Sequence, residues 1–431
     1  MSSKKMLPDE KPQRTRDTSD SIPLIVQTGS PSRMRELNRS ILLTLIRQRQ
    51  PVSRLDLAKQ TGFSCSNVSE IVEELVVDRL VVEKKAKTEG RGRAPIHLFI
   101  DKEGYPVLGV SIRPTQTTIV LSGLGGQLRT RSDFPTPQDP RALVKRIQSA
   151  LRSLSRDDLR GAVFHKIGIS VPGTVHAPTG RVLFAPTLPD YSGFPLAAEV
   201  SRSTGVPAIV ENDCNLGAFA ELWLSGVEVL NLDAFVFVEI GDLGVGGGII
   251  MNREVYRGHD QRFAGEFGHM VLDPFGPLCG CGRRGCWELM VCDRATCARY
   301  EPSQPFHPDS MPRMIQHAAT GDRRALAALT TTAEYLSAGL SNIVCALNPQ
   351  VIIVSGQITN AWDLVGSTVL EKFATESIRL DIRLARLTAE ELFIHGAVAV
   401  ALSSLFGRPK LGILSQFATV DRDKRTRNSL G

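Results

Sequence analysis

The chain has 431 residues, of which 42% are hydrophobic and 22% charged, and carries a formal charge of +6. That length exceeds one ordinary domain, and the composition excludes a disordered, fibrous or disulfide-dense chain. The charge is localised: residues 1–100 hold 18 Lys+Arg against 12 Asp+Glu, and the remainder is balanced at 33 of each. The excess points to an anionic partner for the N-terminal part alone, most simply nucleic acid. The N-terminus lacks an apolar signal core, and no apolar run is long enough to span a bilayer. A cytoplasmic protein with no membrane partner is expected.

Residues 1–33 are rich in charge, Ser, Thr and Pro and read as a disordered arm, either a solvated tail or a DNA-contacting one. From Arg35 to Gln48, Leu37, Ile41, Leu42, Leu45 and Ile46 recur at helical spacing, and Pro51 ends the helix. Ser53 reads as the N-cap of a short second helix carrying Leu55, Leu57 and Ala58. Thr61-Gly62-Phe63 is the turn. Ser64 caps a third helix with Val68, Ile71, Val72, Leu75 and Val76 as its buried face. Two short helices across a glycine turn describe a helix-turn-helix. The third helix would enter a major groove led by Ser64, Cys65, Ser66, Asn67 and Ser69, small polar residues that allow close approach to phosphates and base edges. Ser53 completes the expected contact set on these helices. Strands at Leu80–Glu83 and Ile96–Ile100 enclose a basic segment whose tip, Arg91-Gly92-Arg93, suits an A·T-rich minor groove. A solvated charged loop is the alternative. Residues 34–100 therefore read as a winged helix-turn-helix.

Residues 101–408 alternate strands and helices, an α/β pattern. Strands are expected at Tyr105–Ile112, Thr117–Ser122, Gln127–Phe134, Lys166–Ser170, Ala208–Val210, Ala234–Ile240 and Val351–Val354. Helices are expected around Ala142–Leu154, at Leu216–Leu224 and at Arg323–Leu347. A glycine-rich run follows Asp242. Its Gly246–Gly248 is a weak phosphate signal that tight packing explains equally well. Residues 409–431 form a tail.

The most informative run lies between Gly265 and Glu288, where His269, Cys279, Cys281 and Cys286 fall in one short stretch. One imidazole and three thiolates make a closed four-coordinate set that suits a structural Zn²⁺. Core thiols or an oxidised pair are the alternatives, and a reducing compartment favours the metal. Glu266 and Glu288 flank the set, so a metal would fix two carboxylates and an imidazole as one unit. Cys65, Cys214, Cys292, Cys297 and Cys345 are scattered and read as ordinary thiols.

Taken in order, E-N-D-C-N-L-G-A-F-A-E, A-G-E-F-G-H and C-G-C-G-R-R-G-C-W-E resemble the motifs of the ROK family of repressors, open reading frames and sugar kinases, over about Arg35 to Leu405. The resemblance implies a two-lobed, actin-like (ribonuclease H-like) sugar-kinase-type domain behind the winged helix-turn-helix, with a sugar or sugar phosphate in the interlobe cleft. The reader domain places the chain in the repressor branch. Asp213 matches the kinase base, and Gly173, Asn212, Glu266, His269 and Glu288 match the sugar contacts. One ring nitrogen of His269 would hold zinc while the other faces the sugar.

The chain departs from the kinase pattern at both phosphate loops. D-x-G-G-T is replaced by Ser111-Ile112-Arg113-Pro114-Thr115, and G-T-G-x-G by Asp242-Leu243-Gly244-Val245-Gly246. An acid, two glycines and a threonine hydroxyl are lost, and a carboxylate is added where a triphosphate would lie. The expected function is a sugar-controlled repressor of carbohydrate genes, a homodimer or homotetramer on a palindromic A/T-rich operator, and not an enzyme. A sugar kinase with an appended reader and a constitutive DNA-binding protein are the alternatives.

Overall fold

The computed structural model describes residues 31–85, 96–157, 164–224, 232–261, 263–375 and 381–406. The wing tip with Arg91, Gly92 and Arg93, the tail 409–431 and all of the arm before Pro31 lie outside them. Among the described residues, no helix is long and apolar enough to cross a membrane.

Three helices open the chain: α1 (Pro31–Arg49), α2 (Arg54–Thr61) and α3 (Cys65–Val77). Helix α1 starts four residues before Arg35, inside the expected arm. Ser53 caps α2 through a reciprocal box: its hydroxyl accepts the Asp56 N–H at 3.2 Å, and the Asp56 carboxylate accepts the Ser53 N–H at 3.1 Å. Gly62 ends α2 with φ +73°, a left-handed conformation that a side chain would strain. The Ser64 hydroxyl then accepts the Asn67 N–H at 3.3 Å and starts α3. Strands β1 (Val81–Lys85) and β2 (Ile96–Ile100) pair antiparallel, with Val81 opposite Ile100, and Val52 bridges Leu98 on the other edge.

The reader spends much of its positive charge internally. Arg35 pairs with Glu74, Arg39 with Glu74 and Asp78, and Arg54 with Glu83. These guanidiniums brace α1 and α2 against α3 and β1. Net charge alone therefore overstates the electrostatic footprint of the helices.

The body follows as β3 (Val107–Ile112), β4 (Gln116–Ser122), β5 (Leu128–Pro135), α4 (Pro140–Asp157), β6 (Lys166–Val171), β7 (Thr174–His176), β8 (Arg181–Phe184), α5 (Leu196–Thr204), β9 (Ala208–Asn212) and α6 (Asp213–Leu224). The second half holds β10 (Ala234–Ile240), β11 (Val245–Met251), β12 (Glu254–Val255), α7 (Glu288–Val291), α8 (Asp293–Tyr300), α9 (Ser310–Ala319), α10 (Arg323–Leu347), β13 (Val351–Gly356), α11 (Trp362–Thr375), β14 (Asp381–Leu384) and α12 (Ala389–Leu402). Two five-stranded sheets result, ordered β5-β4-β3-β6-β9 and β12-β11-β10-β13-β14. Each has three antiparallel strands continued by two parallel ones. The halves thus repeat one topology.

Helix α12 packs on β3 and β6 of the first sheet, and α6 on β11 and β10 of the second; the two helices pack on each other between the sheets. The first sheet's other face is covered by Leu143, Ile147, Leu196 and Val200 of α4 and α5. That of the second is covered by Leu336, Leu340 and Ile343 of α10, with Val365 of α11. Sandwiching explains why β3 is buried at all six positions. The glycine-rich run is the strand β11. A Cβ at Gly246 would lie 2.2 Å from the Cys214 sulfur, so this glycine serves the close approach of α6 to the sheet.

Candidate functional site

Strand β9 ends, and α6 begins, at Asn212-Asp213. The Asn212 amide donates to the Gly173 carbonyl at 2.9 Å and to Asp213 Oδ1 at 3.1 Å. Gly173 has φ +98° in the loop after β6. Asn212 Oδ1 accepts the Asn215 N–H, and Asp213 Oδ1 the Cys214 N–H, both at 2.9 Å. One residue assigned no role from sequence organises this corner. Glu211, 3% exposed, takes the Asn212 N–H and the Asn215 amide on Oε1. Its Oε2 accepts Arg257 Nε at 2.6 Å. The buried ion pair fixes the head of α6.

The second group comes from the loop after β12. Thr174 acts as a hydrogen-bond partner of Glu266, and His269 and Glu288 act on that carboxylate electrostatically. Burial pushes Glu266 above the usual carboxylate range, with His269 opposing. Thr174 follows Gly173 directly, so the loop touches both groups. Asn212 thus meets Gly173 and Asp213 at one corner, and Thr174 links that corner to Glu266, with His269 and Glu288 close to each other beside it. Three carboxylates, an amide and an imidazole in fixed positions can accept from and donate to a set of hydroxyls.

His269 also belongs to a cluster that can hold a metal ion. The ligand atoms of His269, Cys279, Cys281 and Cys286 all lie within 4.8 Å of one another. Cys281 and Cys286 sulfurs are 3.5 Å apart, and the Cys279 sulfur is 3.7 Å from His269 Nδ1. Such separations match the edges of a tetrahedron built from metal–sulfur bonds of about 2.3 Å and metal–nitrogen bonds of about 2.0 Å. Glu288 Oε1 stands 3.4 Å from Nδ1 and 3.0 Å from the Cys279 sulfur. With Nδ1 turned to the sulfurs, Nε2 is the nitrogen left for another partner. Among the described residues, Cys65, Cys214, Cys292, Cys297 and Cys345 form no such set.

Two further acids, Glu239 and Asp293, feel Asp213 or Asp242 and carried no recognisable sequence signal. Burial pushes Glu239, at the end of β10, up to about 7, with Arg113 opposing and Asp213 and Asp242 adding to the rise. Asp293, at the start of α8, is fully buried, and burial together with Asp242 and Glu239 pushes it up to about 8. Burial also pushes Asp213 up to about 6, against the Cys214 N–H and Arg113. A folded-state pKa above the unfolded value means stability that is complete in acid and lost as pH rises through the folded value. Asp293→Asn keeps the shape and removes the ionisation. The variant should melt above the parent at pH 8, with the gap narrowing as pH falls and closing near pH 4. Thermal unfolding from pH 4 to 9 checks this; parallel profiles refute it.

At the reader, Ser64, Cys65 and Ser66 are exposed at the head of α3, with Asn67 and Ser69 partly so. Ser64 and Ser66 hydroxyls lie 3.1 Å apart. Ser53 is partly exposed and its hydroxyl donates to Asp56 at 2.6 Å.

Comparison with known proteins fits these features. The Bacillus subtilis xylose repressor is 28% identical over 345 residues, which span 77% of this chain and 85% of that one. A crystal structure of a ROK family transcriptional regulator, described as a homolog of the E. coli MLC protein, superposes with a TM-score of 0.74 at 24% identity over 86% of this chain and 97% of its own. The ROK hexokinase of Thermus thermophilus aligns over 99% of its own length but 70% of this chain, with a TM-score of 0.58 and 26% identity. The profile described as "ROK family" matches residues 107–387, from the first strand of the first sheet to just beyond the last strand of the second. The chain belongs to the ROK family.

Proposed function

We propose that this protein is a cytoplasmic, sugar-responsive transcriptional repressor. Residues 34–100 grip double-stranded DNA through Ser53, Ser64, Ser66, Asn67 and Ser69, with Arg91-Gly92-Arg93 in the minor groove. Residues 101–408 bind a sugar or sugar phosphate through Gly173, Asn212, Asp213, Glu266, His269 and Glu288. The observation that carries this reading is a helix-turn-helix sharing one core with a body in which Asn212 holds Gly173 and Asp213 and Thr174 partners Glu266. A relative named xylose repressor supports it. Two chains on a palindromic A/T-rich operator, as a homodimer or homotetramer, fit the symmetry that such readers use. The sugar acts by favouring the state whose readers no longer match the half-sites. Zn²⁺ suits the closed S₃N set as a structural ion, with His269 Nε2 then directed at the sugar. It holds the loop; nothing in this function asks it for chemistry.

The kinase reading keeps Asp213 as base but loses the nucleotide. Ser111 replaces an acid, and its buried hydroxyl has no partner. Arg113 is set against Asp213 and Glu239, so its charge is already answered by protein carboxyls, and Asp242 adds a carboxylate where phosphates would lie. A triphosphate would be repelled there. The experiment is a thermal-shift screen of the full chain against D-xylose, D-glucose, N-acetyl-D-glucosamine, their phosphates and ATP-Mg²⁺. A rise with one sugar and none with ATP-Mg²⁺ is expected. A rise with ATP-Mg²⁺, and sugar-dependent ADP release lost in Asp213→Asn, would establish the kinase instead.

A further inference from the structure

The reader and the body share one apolar core. Leu42, Leu43, Leu75 and Leu98 cluster with Val107, Val120, Ile394 and Val398. One cation enters this joint. Arg47, in the last turn of α1, holds its guanidinium carbon 3.6 Å from the ring centroid of Trp223 and 5.2 Å from that of Phe406. The two rings meet edge-on at 5.2 Å. Arg47 Nη2 donates to the Trp223 carbonyl at 3.0 Å. Burial pushes the guanidinium down to about 10, so it still carries its charge at neutral pH.

Trp223 is the penultimate residue of α6. A cation on the carbonyl end of a helix meets the negative pole of its dipole, and aromatic faces replace part of the lost water. The opposite end of the same helix is Asp213, braced by Asn212, Glu211 and Gly173. Twelve helical residues span about 18 Å without a break. One rigid rod thus has the cleft at its head and the reader at its tail.

We propose that Arg47 is the positioning residue that transmits the state of the cleft to the DNA reader, by locking α1 to the C-terminal end of α6. The assignment rests on the sugar-cleft reading above, and its test separates the two. Hydrogen exchange across residues 31–77 is followed in the full chain with and without saturating D-xylose. In the parent, D-xylose should change reader exchange by about fivefold, within the usual range of coupling between sites. In Arg47→Met the change should vanish, while D-xylose affinity stays within about twofold of the parent, since no Arg47 contact reaches the cleft. An Arg47→Met chain that binds D-xylose and transmits as the parent does overturns the proposal. Failure of D-xylose to bind the parent counts against the cleft reading for that sugar, and a ligand-free arm then decides the joint. Asn212→Ala frees the head of α6 from Gly173. It should change reader exchange in the parent background and not beside Arg47→Met; equal changes in both backgrounds overturn the coupling.

Discussion

Cys281→Ser should release the metal and abolish the sugar response while the rest of the body stays folded. The loop from His269 to Cys286 has little regular structure of its own. It is held by isolated bridges between Val271 and Cys286 and between Leu278 and Arg284, and His269, Cys279, Cys281 and Cys286 lie close enough to share an ion. In such a segment, metal affinity becomes folding free energy. A hydroxyl is a far poorer ligand than a thiolate, so metal affinity should fall more than about 100-fold, beyond what loss of an outer-shell partner costs. His269 and Glu288 then lose their common anchor, and both belong to the candidate sugar set. Metal content by mass spectrometry and the thermal shift with sugar are the paired readouts. A metal-free chain with an undiminished sugar response would refute the link.

Trp287→Ala should cost about 3–5 kcal/mol, the range for deleting a large buried aromatic. Trp287 is fully buried and its indole N–H donates to the Tyr335 carbonyl of α10 at 2.8 Å. Its ring lies so close to Gly339 that a Cβ there would meet it at 2.0 Å. The residue stands between Cys286 and Glu288, and so bolts the metal loop onto the longest helix. Chemical unfolding gives the magnitude. A loss below about 1 kcal/mol would mean that the loop collapses into the cavity and that the bolt is dispensable.

Legibility followed where information was local. The caps at Ser53 and Ser64, the turn at Gly62 and the helix Arg323–Leu347 obey short-range rules, and each lies where those rules put it. Helix α6 begins three residues before Leu216, because Asp213 and Asn215 are polar and, with one thiol between them, gave no apolar period; Asp213 is the base match itself. The ligand cluster was readable because its spacing is fixed within one loop. Glu211 with Arg257, and Asp293 with Glu239, depend on which segments the two sheets bring together, and no window of sequence contains that. Arg47 was counted as charge available to nucleic acid; only packing reveals its two rings.

The shared core between reader and body leaves no hinge of free chain between them. A flexible tether would let each reader search for its half-site, with an effective concentration set by tether length. Here the shared core carries the reader along with the body. In any pair of chains, the distance between recognition helices is then a fixed gauge set by how the bodies meet. Operators with one base pair too many or too few should be penalised by distortion of DNA or protein, not tolerated by slack.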